Sequence, residues 1–318
     1  MTATADLILE RRQMRRRLAL WRILAILAFF GAIITAIAVF GGLRGIGSKP
    51  SGAHVAVVEI SGLITSDRER HEMLEGLAED DDARAVILRI NSPGGTVTGS
   101  EELYGDIRAI AEAGKPVVAQ MIDAAASGGY IAAIAADHIV ARSNTLTASI
   151  GVVAEGPNIA GLLADNGISV IRIKPEATPL KAEPGFLTEP APGAIADQRR
   201  LIEDSYAWFR GLVGERRGLE GAALDAVADG RVHTGRLAAE LGLVDAIGGE
   251  AAVDAWLEET HEVSPDLDRR VRRWGERELP WPLGAMARVT GLDDTLGLVL
   301  APAAARLQPG FRLMAVMY

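Results

Sequence analysis

The chain contains no cysteine, so neither disulfides nor thiolate chemistry contributes to its fold or its reactions. It also lacks an HExxH run or any cluster of His, Asp and Glu at ligand spacing, which argues against a metal centre. No cofactor is expected. Basic charge is in deficit: the formal net charge is -9, which argues against a nucleic-acid surface. Histidine is sparse. His54 and His138 open strands and His71 lies on a polar helix, and neither these nor His233 and His261 stand out as partners for a nucleophile. Lysine is scarcer still, with Lys49, Lys115, Lys174 and Lys181 set against 29 arginines.

The basic charge that is present is concentrated at the start. Arg11, Arg12, Arg15, Arg16, Arg17 and Arg22 precede Ile23 to Leu43, a run without a charged residue. As a helix that run would rise about 31 Å, close to the roughly 30 Å of a bilayer's hydrocarbon core. Arginines before the span and few basic residues after it place the N-terminus in the cytoplasm and the rest in the periplasm or exterior. The expectation is a single-pass protein of the cytoplasmic membrane, with the bilayer as a partner. Ala36-Ile37-Ala38 resembles a small-residue cleavage site, so a cleaved signal peptide is the alternative; the long basic leader favours a retained anchor.

A Gly-, Ser- and Pro-rich stretch ending at Ala53 reads as a linker. Strand and helix signals then alternate. Strands are expected at His54–Ile60, Arg84–Ile90, Pro116–Ile122, His138–Ala141 and Ser169–Ile173. Helices are expected at Asp67–Glu79, Ser100–Ala113 with Gly114 as its stop, and Ala126–Ala136. Further helices follow at about Pro192–Arg217, Glu220–Val227, Thr234–Leu241 and Glu250–Glu259. Strands that alternate with helices and are apolar on both faces mean an α/β fold with a largely parallel sheet flanked by helices, here preceded by one transmembrane helix. The expected organisation is a basic leader (1–22), an anchor (23–43), a linker (44–53), a catalytic domain (54–262) and a C-terminal extension (263–318). That extension is arginine-rich around Arg269 to Arg277 and then apolar. A flexible segment, a subunit contact and a membrane-surface element all fit it.

Two loops carry the chemistry. Asn91-Ser92-Pro93-Gly94-Gly95 follows strand 84–90 at the edge where parallel sheets bind ligands. Its glycines leave backbone N–H groups free to stabilise an oxyanion, although an ordinary strand-to-helix turn has the same composition. Ala124 to Tyr130 sets Ser127 among small residues where a helix begins. Ser127 is either an N-cap or a nucleophile, and the neighbouring glycine turn favours the nucleophile. A serine hydroxyl needs a base. Lysine can deprotonate where arginine cannot, and burial lowers a lysine pKa of about 10.4 by roughly 3 at a cost of about 4 kcal/mol. Lys49 sits beside the membrane and Lys115 lies at the opposite edge of the sheet, which leaves Lys174 and Lys181.

Four runs carry a resemblance. They are RINSPGG ending at Gly95, AASGGY around Ser127, TLTASIGV from Thr145 to Val152, and GRVHTGRLAAELGLVDAIGG from Gly230 to Gly249. In this order they resemble the signal peptide peptidase A (protease IV) family, in its short bacterial form. The resemblance spans about His54 to Gly249 and implies a Clp protease/crotonase-like superfold and a Ser/Lys-dyad serine endopeptidase. It implies Ser127 as nucleophile, Lys181 rather than Lys174 as general base, and Ser149 orienting the lysine. The N–H groups of Gly95, or Gly94, and Gly128 would form the oxyanion hole. The residues around Lys181 (KPEATPLKAEPGF) depart from the family's glycine-containing polar run, which leaves Lys174 open as the alternative. The implied substrates are leftover signal peptides or unfolded membrane-associated segments, and the implied assembly is a ring- or dome-like homo-oligomer whose subunits complete one another's sites. A crotonase-like acyl-CoA enzyme and a catalytically silent membrane scaffold of the same fold are the rival readings.

Overall fold

A computed structural model of the chain describes residues 21–22, 28–29, 52–274 and 314–316. It divides into two units, Met1–Gly52 and Ala53–Tyr318. In the first, Trp21, Arg22, Ala28 and Phe29 are helical. Most of the expected span Ile23–Leu43 lies outside the described residues. Among those that are described, no helix is long and apolar enough to cross a membrane.

The second unit is a mixed α/β structure. Strands β1 (His54–Ile64), β2 (Ala83–Thr96) and β3 (Val117–Ala126) form the centre of the sheet, joined by helices α1 (Arg68–Ala78) and α2 (Val97–Glu112). Helix α3 (Gly128–Ile134) follows β3, and β4 (His138–Ala141) and β5 (Leu146–Ala148) come next. After α4 (Ala160–Asp165) come α5 (Ala194–Arg217), α6 (Gly221–Val227), β6 (Val232–Thr234) and α7 (Gly235–Glu240). The described chain closes with β7 (Ala246–Ile247), α8 (Glu250–His261), β8 (Asp268–Arg272) and β9 (Met314–Val316). The main order across the sheet is β6-β5-β3-β2-β1-β8. Pairing is parallel throughout, except for β2 with β9 and β5 with β6.

The continuous apolar runs explain why the centre is buried on both faces. Ala56, Val58, Ile60, Val86, Leu88 and Ile90 point to one side, against Leu74, Leu103, Ile107 and Phe209 of the helices. Val55, Val57, Ala85 and Ile87 point to the other, against Val253 and Leu257 of α8. Each fully buried Leu or Ile contributes about 1.5–3 kcal/mol.

Caps set the helix starts. Asp67 Oδ1 accepts from the N–H groups of Glu69 (3.0 Å) and Arg70 (3.2 Å), and Thr96 Oγ1 accepts from Gly99 N–H (3.1 Å). The C-terminal carbonyls of α3 are held from other elements. Arg216 donates to Ile134 and Ala136, and Arg108 donates to Ala135. This fixes the short helix that Ser127 introduces.

Two expectations need correcting. Ser169–Ile173 is not a strand: it has no regular structure, and Ile171 and Ile173 are 83% and 92% exposed. Its alternating apolar pattern finds no partner strand among the described residues. The arginine-rich segment after Val263 instead supplies β8, parallel to β1. Its arginines are paired: Arg269 with Glu250 and Asp254, Arg272 with Asp80, and Arg273 with Glu59.

Candidate active site

The carboxyl ends of β2 and β3 bring the two glycine loops together. Gly95 can only be glycine, because a Cβ there would lie 1.8 Å from the carbonyl oxygen of Ile64 on β1. Gly128 is constrained less severely: a Cβ would lie 2.3 Å from the side-chain Oγ of Ser100, 3.1 Å from Gly95 N and 3.3 Å from Gly94 Cα. A Cβ on Gly129 would meet the carbonyl oxygen of Ser92 at 2.8 Å. The glycine end of β2 and the start of α3 therefore approach too closely for side chains between them, and glycine allows it. Ser92 braces the turn. Its hydroxyl donates to Gly62 O (2.6 Å) and accepts from Gly94 N–H (3.1 Å).

Ser127 sits at this junction, 1% exposed. It occupies the position before α3, yet its side chain makes no capping hydrogen bond. Its Oγ is buried with no hydrogen-bond partner among the described residues. The bland N-cap role is thus unfilled. Its backbone is unusual as well, with φ 52° and ψ -114°. A non-glycine residue held there costs about 1–3 kcal/mol and persists only where its surroundings over-determine it.

Those surroundings come from β5. Ser127 N–H donates to Ala148 O (2.8 Å), and Ala148 and Ser149 themselves have positive φ values of 67° and 53°. Thr145 Oγ1 donates to Ile122 O (2.6 Å) and Thr147 Oγ1 to Ala125 O (2.7 Å), fastening the TLTASIGV run along β3. Ser149 is 8% exposed and its N–H donates to Arg231 O (2.9 Å), which ties this run to the GRVHTG segment. Tyr130 of AASGGY donates its hydroxyl to Leu243 O (2.9 Å), and burial pushes its pKa up. All four sequence runs thus meet around one buried hydroxyl.

The lysines lie elsewhere. Because Ser127 Oγ has no partner, neither Lys174 nor Lys181 reaches it by hydrogen bonding within the chain. Lys174 is engaged: its Nζ donates to Glu183 Oε1 (2.8 Å), to Lys181 O (3.4 Å) and to Pro179 O. Lys181 is exposed, and its amine makes no hydrogen bond or ion pair among the described residues. Ala182, next to it, has φ 61°. Glu183 was not singled out in the sequence. Its carboxylate is 5% exposed and accepts from Lys174, Arg172 and the Ala191 N–H. The Lys174 hydrogen bond, then that from Ala191, holds its pKa down to about 2. Its partner Arg172 falls in the stretch read as a strand, so nothing in the sequence marked this cluster.

Comparison with known proteins fits this geometry. Residues 109–264 match the model of peptidase family S49. A Synechocystis sp. protein named as a protease is 38% identical over 247 residues, covering 76% of this chain and 84% of that protein. The chain belongs to peptidase family S49. A signal peptide peptidase SppA homologue of Enterococcus faecium is 31% identical over 200 residues, 61% of this chain and 58% of that protein. Protease 4 of Haemophilus influenzae is 33% identical over 204 residues, and the matched part is 32% of its length. Membership favours a serine peptidase over the acyl-CoA enzyme considered from the sequence.

Proposed function

We propose that the chain is a membrane-anchored serine endopeptidase whose nucleophile is Ser127 and whose general base is Lys181, supplied by a second copy of the chain. The carrying observation is the Ser127 hydroxyl, buried and unpartnered on a strained backbone beside Gly95 and Gly128. A buried hydroxyl without a partner costs about 1–3 kcal/mol, and a nucleophile's role accounts for one kept on a strained backbone beside two glycines. Lys174 is tied to Glu183, whereas the Lys181 amine is unengaged, and this favours Lys181 over Lys174.

In the proposed reaction, Lys181 takes the Ser127 proton while Ser127 Oγ attacks a peptide carbonyl. The oxyanion forms between the N–H groups of Gly95 and Gly128, since the Gly94 N–H is already taken by Ser92 Oγ. The amine leaving group departs with the proton from Lys181. Water then attacks the ester, again deprotonated by the lysine, and frees the carboxylate and Ser127. Ser149, next to Ala148 in the same strained turn, would hold the neutral amine.

Substrate would bind extended. Strand β9 pairs antiparallel with Gly94–Thr96, on the part of β2 beyond its last pairing with β3, so this edge takes a strand. Supply of the base by another copy is supported by the exposed apolar residues of the lysine-bearing segment, among them Leu162, Ile168, Ile171 and Ile173. The parallel-dominated sheet agrees with a Clp protease/crotonase-like superfold. The N-terminal apolar run, the basic leader before it and the names of the relatives together support signal peptide remnants or unfolded membrane-associated segments as substrates.

The test is labelling by a serine-directed fluorophosphonate, together with casein hydrolysis. Ser127→Ala and Lys181→Ala are expected to lose at least about 10³-fold in activity, and Ser127→Ala to lose all labelling. Hydrolysis that survives Lys181→Ala but not Lys174→Ala would move the base to Lys174.

A further inference from the structure

The segment that carries Lys181 has almost no regular structure between β5 and α5, so something other than a sheet or helix ladder must fix its course. The fastening is concentrated immediately after Lys181. Lys174 Nζ donates to Lys181 O (3.4 Å), and Arg172 Nη1 donates to Ala182 O (3.2 Å). Both cations converge on Glu183 Oε1, each at 2.8 Å, while Glu183 Oε2 accepts from Ala191 N–H at 3.3 Å. Gly185 closes the knot: a Cβ there would lie 2.2 Å from Arg172 Nη2. One little-exposed carboxylate thus holds two cations, and each cation holds a backbone carbonyl beside Lys181. The lysine side chain itself takes no part.

We infer that Glu183 is a positioning residue, which through Lys174 and Arg172 fixes the backbone of Lys181 and so the point from which its free amine reaches out. This rests on the assignment of Lys181 as general base. Removing the carboxylate would leave two buried-edge cations without their counter-charge and release both carbonyls. The side chain would then start from many backbone positions instead of one. A misplacement of about 1 Å at a reacting group costs on the order of 10²-fold in rate.

The test uses the full-length protein and a peptide substrate, with kcat and KM measured across pH. Glu183→Gln, close in shape but uncharged, is expected to lower kcat about 10–100-fold with KM within about twofold. Lys174→Met is expected to do the same, and Lys174→Arg to retain most activity because it keeps both the ion pair and a donor. The Glu183→Gln/Lys174→Met double variant is expected to be no worse than either single one, as for members of one network. Wild-type kcat in Glu183→Gln would overturn the inference. So would a loss that appears as a raised KM with a lowered unfolding temperature, because that marks a role in folding alone. Lys181→Ala is the control: full activity there would sink the base assignment and this inference together. An inactive Lys181→Ala beside a fully active Glu183→Gln would sink only the inference.

Discussion

The two halves of the candidate site are held by different physics. The serine half is built into the sheet: Ser127 is 1% exposed, its N–H is bonded to Ala148 O, and Gly95 and Gly128 are in backbone contact. The lysine half lies in an exposed segment, pinned by ions rather than by ladders, with its amine free. A strained nucleophile needs a rigid frame, since strain relaxes wherever the surroundings yield. In the proposed arrangement, a base that meets a site in another copy needs an exposed segment with a fixed backbone. Substitutions that disturb the backbone of the first half should therefore damage fold and activity together, whereas substitutions in the second half should act mainly on activity.

The sharpest way to break this contrast is Gly95→Ala. Its methyl group would enter the Ile64 carbonyl, forcing the turn away from Gly128, so a loss of about 10²–10³-fold in kcat is expected along with lowered stability. Retention of wild-type activity would show that this turn does not frame the oxyanion. A smaller effect is expected from Thr147→Val, which leaves Ala125 O without its 2.7 Å donor in a fully buried place. Urea unfolding should report a loss of about 1–3 kcal/mol. An unchanged midpoint would mean that β5 does not brace Ser127. The smallest effect concerns acid. Glu183 titrates at about 2 in the fold, below the ordinary value for Glu. The clamp's contribution to stability is therefore complete above the usual carboxylate range and is lost as pH falls through that range toward about 2. Carbon-13 NMR of the Glu183 carboxyl should show that low midpoint, and an ordinary midpoint would dissolve the clamp.

The glycine loops around Ser127 were legible in the sequence because their constraints are local. Glycines at Gly95 and Gly128 are demanded by backbone contact, and such demands leave a visible composition. The long central strands were equally legible, since burial on both faces leaves apolar runs such as Ala85 to Leu88. Strands β5, β6 and β7, of two or three residues each, are too short for any period to appear. Strand β8 was hidden by its arginines, which an edge strand tolerates when acidic neighbours such as Glu59 and Asp80 meet them. Ser169–Ile173 misled for the opposite reason: it has a strand's alternation but no neighbour to pair with among the described residues, and its isoleucines are left bare. The proposed pairing of Lys181 with Ser127 could not be read from spacing, and within the described residues Ser127 Oγ has no hydrogen-bond partner.

Co-expression of two inactive variants tests that link most directly. Ser127→Ala keeps an intact lysine, and Lys181→Ala keeps an intact serine. Full-length chains carrying one or the other should each be inactive, while co-purified mixtures should regain about a quarter of wild-type peptide hydrolysis, the share of interfaces that pair both intact groups. Mixed assemblies that form but recover no hydrolysis would contradict a base supplied from a second copy.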